Sequence, residues 1–469
     1  MTVLARAPML AVLGALVVCL AFFDRTGLPE VLFLSPLFVL SFAFLTYKQE
    51  VRGQWPVLTV TLVIALSLAL RIFCVLRQPA EGPRSIQVEG TVSLVRPWGR
   101  RHYAAVLNTP EGGFLMRLHF ATLVEGMRLR VEGITRPLRP ADWAGGFDEE
   151  RYWRARGVVS WLSPSNIEPL PSAWSLPRLR HAVSRALVIY MPPLTGAYLR
   201  AAWTGQRDEE LYKSHRAWGT SHLLAVSGFH VSIFLLLISF LLGRRRVLPL
   251  SALLWGYVLL TGAAPSALRA GLMIQAALLG QLLGRPSSPV NSVCLAAALL
   301  LFHSPFLFWD MGWRLSVLAA LTLTAVYSTG GRRLRTWLLV SPAISLVTFP
   351  QVAYAFGGFP VVGLLLNLVA PFIFSAALTV ASIAALLRLV GFPFMPLLLS
   401  CAEGGFKLCG WGAEWLRLLM PWTIPWLPLA AWMGAGVLFF LLCCFLQLPA
   451  GRTAALTVAG AAASFLLFL

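Results

Sequence analysis

Apolar runs long enough to cross a bilayer recur along almost the whole chain, and no other feature constrains the fold as tightly. They fall at roughly 8–23, 31–46, 57–76, 222–242, 247–263, 266–283, 289–304, 306–328, 336–356, 360–388, 428–446 and 453–469. A helix needs about 20 apolar residues to span the hydrocarbon core. Only helices and closed barrels satisfy every backbone polar group in lipid. The sequence therefore predicts a polytopic α-helical membrane protein of about 11–12 spans, some re-entrant or amphipathic. Of the 469 residues, 58% are hydrophobic and 12% charged, whereas soluble domains carry about 25% charged residues. The first run follows Arg6, but no A-x-A cleavage site follows it and a second run comes at once, so it reads as a retained span.

The formal charge is +19, from 38 Lys+Arg and 19 Asp+Glu, and the only lysines are Lys48, Lys213 and Lys407. Two readings of this arginine bias stand side by side: cytoplasmic anchoring in a GC-rich genome, and a polyanionic partner whose phosphates suit guanidinium forks. Basic residues also set topology. Lys48 and Arg52, Arg244 to Arg246, Arg285, and Arg332, Arg333 and Arg335 occupy alternate turns, whereas the turns at 263–264, 303–304 and 357–358 have none. The alternation requires a cytoplasmic N-terminus and places 77–215 outside; beyond Arg388 it blurs. Cys19, Cys74, Cys294, Cys401, Cys409, Cys443 and Cys444 all lie in or beside apolar runs, with no CxxC spacing. The sequence thus predicts no disulfide in the polar insert, no metal site and no cofactor.

Five segments follow: N-terminal transmembrane hairpins over 1–78, an extracytoplasmic domain over 80–170, amphipathic or interfacial helices over 171–218, a helical core over 219–450 and a hydrophobic helix over 451–469. The 80–170 insert alternates like a β domain. Phe114, Met116, Leu118 and Phe120 share one face, and Leu115, Arg117 and His119 the other. Met127, Leu129 and Val131 repeat the pattern against Arg128, Arg130 and Glu132. Ile86, Val88, Val92 and Leu94 make a first strand with a weak point at Gly90, and 102–107 and 157–163 supply two more. About five short strands suggest an OB-like barrel. Such barrels stack single-stranded bases on aromatics in a basic groove. The candidates are Trp98, Arg100, Arg101, Tyr103, Arg117, His119, Arg128 and Arg130. A plain solvated face is the competing reading, because 14 basic against 10 acidic residues over 81–180 is a small excess. The stretches 175–215, interrupted by Pro192 and Pro193, and 403–420 read as interfacial helices.

Ionisable residues inside apolar runs face a cavity or a partner. Arg269 lies in "TGAAPSALRAGLM" near the start of its span. Asp310 and Arg314, in "FLFWDMGWRLSVLAA", stand at i and i+4. They either neutralise each other or leave Arg314 to line an aqueous passage with Arg269. Glu403 and Lys407 repeat the ambiguity. The stretch "HLLAVSGFHV" at 222–231 puts His222, Ser227, Gly228 and His230 at the mouth of a span. His222 and His230 share a helical face but lie about 12 Å apart, too far for one metal ion. Ser227 with a histidine lacks the orienting acid of a hydrolase. A break lining a water-filled cavity fits better.

These residues carry a resemblance. "HLLAVSGFHV" closely resembles the HLLAISGLHV motif of the ComEC family, the inner-membrane channels of bacterial DNA uptake, departing at Val226 and Phe229. "TGAAPSALRAGLM", with Pro265, Ser266 and Arg269, resembles its TG-x-x-PS-x-x-RA-x-x-M. "NSVCLAAALLLFHSPFLFWDMGWRLSVLAA", with Asp310, Arg314 and Ser316, resembles its L-x-D-x-GFQLS segment, with Trp313 and Arg314 where Phe-Gln is common. "ADWAGGFDEERYWRARGVV" resembles the stretch that closes its OB domain. The resemblance implies a channel translocating single-stranded DNA into the cytoplasm during natural transformation. Pro265, Ser266, Ser316 and the ionisable residues above are then pore or motif candidates. Partners would be single-stranded DNA, the lipid bilayer, an extracytoplasmic DNA receptor, and a cytoplasmic helicase or single-strand-binding protein; monomer and homo-oligomer both fit. Many family members add a metallo-β-lactamase-like domain. Here no H-x-H-x-D-H motif occurs among seven histidines, so no nuclease or other enzymatic activity is expected, and strand degradation would need a separate nuclease. No Walker motif occurs, so the driving force must come from elsewhere. The rivals are a small-molecule permease, which would show inverted repeats, and less readily an envelope enzyme, for which Asp310 with His222 is the one remote acid–base candidate.

Overall fold

Apolar helices and one alternating polar insert fold as separate layers, because lipid and water reward opposite surfaces. The computed structural model describes residues 8–26, 30, 32, 39, 55–77, 82–98, 102–119, 123–141, 147–171, 173–224, 231, 247–284, 288–328, 333–388, 395–425, 428–445 and 457. Arg100, Arg101, Ser227, Gly228, His230, Arg244 to Arg246 and Arg285 lie outside the described residues. So do most of the runs at 31–46, 222–242 and 453–469.

The helices are α1 (Pro8–Thr26) and α2 (Trp55–Leu76) before the insert, then α3 (Glu149–Arg154) inside it. After it come α4 (Leu176–Tyr190), α5 (Pro193–Thr204) and α6 (Glu209–Ala217). The apolar series continues with α7 (Val247–Leu260), α8 (Pro265–Leu282), α9 (Pro289–His303), α10 (Met311–Ser328) and α11 (Arg333–Phe356). It ends with α12 (Val362–Arg388), α13 (Met395–Leu419) and α14 (Pro428–Phe445). Among the described residues three helical segments are long and apolar enough to cross a membrane: Leu58–Leu76, Leu338–Phe356 and Val362–Arg388. Several shorter helices, including α7, α9 and most of α10, are also apolar. The chain is thus a mostly helical membrane protein.

Small residues set the helix packing, as they do where lipid removes the hydrophobic drive between helices. Ala11, Ala15 and Cys19 of α1 share one buried cluster with Cys294, Ala297 and Ala298 of α9. At α11, Pro350 cannot donate to the carbonyl of Leu346. Gly434 of α14 fills the space beside it, and a Cβ there would stand 2.6 Å from that oxygen. A breaker in one helix is matched by the absence of a side chain in the next.

The run read as one span over 306–328 is broken. Pro305–Trp309 forms a 3-10 turn, and α10 begins only at Met311. Asp310 makes the break: its Oδ1 accepts from the Trp313 N–H at 3.0 Å, which caps α10. Residues 176–217 fold as the three helices α4 to α6, with Pro192 and Pro193 at the interruption.

The insert is a closed five-stranded barrel of β1 (Ser85–Trp98), β2 (His102–Thr109), β3 (Gly112–Leu118), β4 (Arg128–Arg136) and β5 (Val158–Leu170). Its order is β1-β2-β3-β5-β4, with β4 returning to β1 and β3 parallel to β5. Val88, Val92, Leu107, Phe114, Met116, Leu129, Val131 and Leu162 fill it. Leu115 and Arg117 lie in the same outward phase of β3, and α3 covers that face at Leu115, which packs with Trp153, Leu138 and Val158. One expectation needs correction. Leu94 does not continue the inward phase of Val88 and Val92. A bulge shifts the register between Val92 and Leu94, so Val95 turns inward and Leu94 joins the outer cluster.

Candidate functional site

Between the barrel and the helices lies a cavity of about 4150 Å³. Barrel strand β1, the connecting helices α3 to α6 and the apolar helices α8, α10 and α11 all contribute to its wall. Eleven arginines and six carboxylates line it, with no lysine. Ten of the eleven arginines, all but Arg71, fall into two groups.

The first group is paired with acid. Arg180 meets Glu125 at 2.8 Å with both side chains buried. Arg156 meets Asp310 at 2.8 Å, Arg151 meets Asp24 at 2.7 Å, Arg154 meets Glu150 at 3.0 Å and Arg200 approaches Asp208 at 3.7 Å. The second group is held by carbonyls and rings. Arg269 donates to the Ser316 carbonyl. Arg314 donates to the Phe308 carbonyl at 2.5 Å and lies over the Phe308 ring. Arg216 donates to the Phe356 carbonyl at 3.3 Å, and Arg207 lies over Tyr212. Arg96 donates to the Tyr152 hydroxyl at 2.5 Å and sits 4.7–5.1 Å from the rings of Trp98, Tyr152 and Trp153. Burial pushes the Arg96 pKa down, but a guanidinium starts so high that it stays charged. Neutral partners hold these five in place without cancelling their charge. Arg269 is the extreme case: it is 9% exposed, and its Nε has no hydrogen-bond partner among the described residues. Such a buried donor is costly unless something else satisfies it.

The sequence candidates divide accordingly. His222, Pro265, Ser266, Arg269, Asp310, Arg314 and Ser316, from three separate motifs, all line this one cavity. The pairing of Asp310 with Arg314 does not form: Asp310 is taken by Arg156, and Arg314 by the Phe308 carbonyl. Nor does Lys407 neutralise Glu403 closely, at 3.9 Å from a largely exposed ammonium. Of the described barrel candidates, Trp98 lines the cavity and the others do not. Arg128 and Arg130 both grip Glu89, at 3.1 and 2.7 Å, and the Arg130 hydrogen bond holds its carboxyl below the usual range. Arg117 is exposed and lies 5.0 Å from the Trp161 ring centroid. Tyr103 pairs across β2 and β3 with Leu118, and His119 meets the ring of His102. Trp98 belongs instead to an aromatic group with Phe147, Tyr152 and Trp153, at centroid distances of 5.1–5.9 Å.

Upstream, a buried polar relay fixes the start of the 222–231 stretch. The Tyr198 hydroxyl meets His215 Nε2 at 2.8 Å, and His215 Nδ1 meets the Thr220 hydroxyl at 2.9 Å. Thr220 immediately precedes the 3-10 turn Ser221–Leu223 that presents His222. Burial pushes the His215 pKa down to about 4, so it is neutral at pH 7.

Sequence reasoning did not single out Arg151, Arg156, Arg180, Arg207 or Arg216. The clustering of three arginines in "RYWRARG" was the available signal.

A family model described as "Competence protein" matches residues 202–449, just over half the chain. The ComE operon protein 3 of Bacillus subtilis (strain 168) is 28% identical over 264 residues, which are 53% of this chain and 34% of that protein. The chain therefore spans about a third of the length of the relative it matches. No solved structure matches it. The matched region holds His222, Arg269, Asp310 and Arg314 together on the helical side of the cavity, and the chain belongs to the ComEC family of competence proteins.

Proposed function

We propose that this chain is a multi-pass channel of the cytoplasmic membrane that passes single-stranded DNA into the cytoplasm during natural transformation. The observation that carries the reading is the cavity wall, where five arginines retain their charge because carbonyls and rings hold them. Phosphates passing one after another need such a surface: cationic, pre-organised and not locked to acid. The cavity volume of about 4150 Å³ also exceeds the 300–1,000 Å³ or so of an ordinary small-molecule site, which counts against a permease.

In this reading about 11–12 spans surround the passage, the N-terminus is cytoplasmic and the OB-like barrel lies outside. The barrel receives the strand from a DNA receptor, with Trp98 and its aromatic neighbours offering a stacking platform beside the wall. The chain performs no chemistry of its own. A cytoplasmic helicase or single-strand-binding protein supplies the pull, and a separate nuclease removes the other strand where that occurs. The test is a competent host whose own gene is replaced by this one, given fluorescent DNA. DNase-resistant label should reach the cytoplasm with the wild-type gene and fall at least about tenfold when Arg207, Arg216 and Arg269 are all changed to Ala at equal protein abundance. Uptake that is unchanged by this triple variant, or by loss of the gene, overturns the reading.

A further inference from the structure

Asp310 uses its two carboxylate oxygens in two directions. Oδ1 accepts from the Trp313 N–H at the start of α10, and Oδ2 accepts from Nη2 of Arg156 at 2.8 Å. Arg156 comes from the barrel side, 154 residues earlier in the chain. Its guanidinium is preset by its own neighbourhood: Nη1 donates to the Tyr152 carbonyl at 2.8 Å, and the group lies 3.6 Å from the Tyr152 ring centroid. α3, which carries Tyr152, cannot shift without the barrel, because its Trp153 is fully buried against Leu115, Val158 and Leu138.

A parallel contact flanks this one. Arg151 meets Asp24 at 2.7 Å and lies over Trp309, whose Nε1 donates to the same Asp24 at 3.0 Å. The turn Pro305–Trp309 is therefore held by two arginines, Arg151 of α3 through the Trp309 ring and their shared Asp24 of α1, and Arg156 just after α3 through Asp310. On its other side, α10 carries Arg314 and Ser316, and the Ser316 carbonyl holds Arg269. The Asp310 side chain is 6% exposed and that of Arg156 25%. Removing either partner strands a charge in a poorly solvated place.

We infer that Arg156 and Asp310 form the joint that sets the position of the barrel over the cavity, so that Arg156 is a positioning residue for delivery of the strand to the arginine wall. This inference rests on the channel reading above for its functional half alone. Its structural half stands on the geometry of the joint.

The experiment uses the full chain with Arg156→Glu, Asp310→Arg and the double exchange. Hydrogen–deuterium exchange in lipid nanodiscs reads the joint without DNA, and cytoplasmic label in the transformation assay reads delivery. Each single change should raise exchange in peptides covering 149–157 and 305–313 and cut delivery about tenfold, equivalent to a coupling of about 1.4 kcal/mol. The double exchange should restore protection and recover delivery at least about threefold over either single change. Because Asp310 also caps α10, Asp310→Asn serves as a control: it keeps an acceptor for Trp313 and removes the charge, and should still raise exchange at 149–157. The joint is refuted if the single changes leave exchange at the wild-type level, or if the double exchange is no better than the worse single one. Failure of the channel reading looks different: label transfer is then indifferent to Arg269→Ala as well, while exchange still reports the joint.

Discussion

Glu403 reaches from α13 to the first turn of α5, where its Oε2 accepts from both the backbone N–H and the hydroxyl of Thr195 at 2.8 Å. A carboxylate at a helix N-terminus satisfies a donor the helix leaves open and complements its dipole. The neighbouring Lys407 contributes little, being exposed and 3.9 Å away. Glu403→Ala should therefore lower stability by about 2–4 kcal/mol, since it deletes two hydrogen bonds to a buried charged group. Lys407→Ala should change it by less than about 0.5 kcal/mol. Thermal unfolding of both variants in one detergent checks the contrast. Equal losses would mean that the ion pair matters more than the cap.

Acid should destabilise the chain through His215. Its folded pKa lies at about 4, below the ordinary 6.5, so the unfolded chain binds a proton first as pH falls. The stability contributed by the neutral imidazole is complete above about pH 6.5 and is lost progressively toward pH 4, by about 3 kcal/mol in all. His215→Gln should lower the melting temperature at pH 7.5 and flatten its dependence on pH across that window. A wild-type melting temperature that holds steady between pH 6.5 and 4.5 would contradict the assignment.

At Arg269 the chemistry of the fork can be separated from its charge. Arg269→Lys keeps the cation but loses the planar donor set that reaches the Ser316 carbonyl and leaves Nε free. Label transfer should fall about tenfold in Arg269→Lys and further in Arg269→Ala, with membrane abundance within about twofold of wild type. A fall that merely tracks abundance would mark Arg269 as structural.

Salt should report the wall directly. Each phosphate neutralised on a single strand lowers the slope of log affinity against log salt by about 0.7. Binding of oligodeoxythymidine to the full chain in nanodiscs should steepen with chain length up to a slope of roughly −3 to −4, if the five neutrally held arginines are engaged. The triple change of Arg207, Arg216 and Arg269 to Ala should remove about 2 of that slope. The same slope in wild type and triple variant would assign the phosphate contacts to other residues.

Gly434 should tolerate no side chain. Gly434→Val drives carbon into the Leu346 carbonyl left open by Pro350 and should cost about 1–3 kcal/mol. Adding Pro350→Ala, which returns a donor to that carbonyl, should leave the clash and so give no rescue.

What the sequence discloses about this fold is what repeats locally. Apolar runs mark α2, α11 and α12, and alternation marks the barrel strands, because both patterns are set by near neighbours along the chain. The convergence of His222, Arg269, Asp310 and Arg314 on one cavity was legible through motifs. Their partners were not. Asp310 and Arg314 stand one helical turn apart, and spacing alone suggests a pair, yet Asp310 ends a 3-10 turn rather than riding on α10 and turns its second oxygen to Arg156. Arg128 and Arg130 looked like a phosphate groove until Glu89, some 40 residues away on the paired strand, claimed both. Alternation reveals that a side chain faces outward but not which charge faces it across the ladder.

One extra residue in β1 decides what the cavity sees. Before the bulge, even-numbered positions of the strand point into the barrel; after it, Leu94, Arg96 and Trp98 turn out toward α3. The carbonyl of Ser93, left over by the mismatch, is taken by the buried Arg180 of α4. Regular pairing of the same residues straight through position 93 would swing the arginine and tryptophan into the barrel's interior and draw the Ser93 carbonyl away from Arg180. The barrel and the roof of the passage are therefore not free to diverge separately. A single count of residues in one strand ties the packing of an extramembrane domain to the surface presented to whatever travels beneath it.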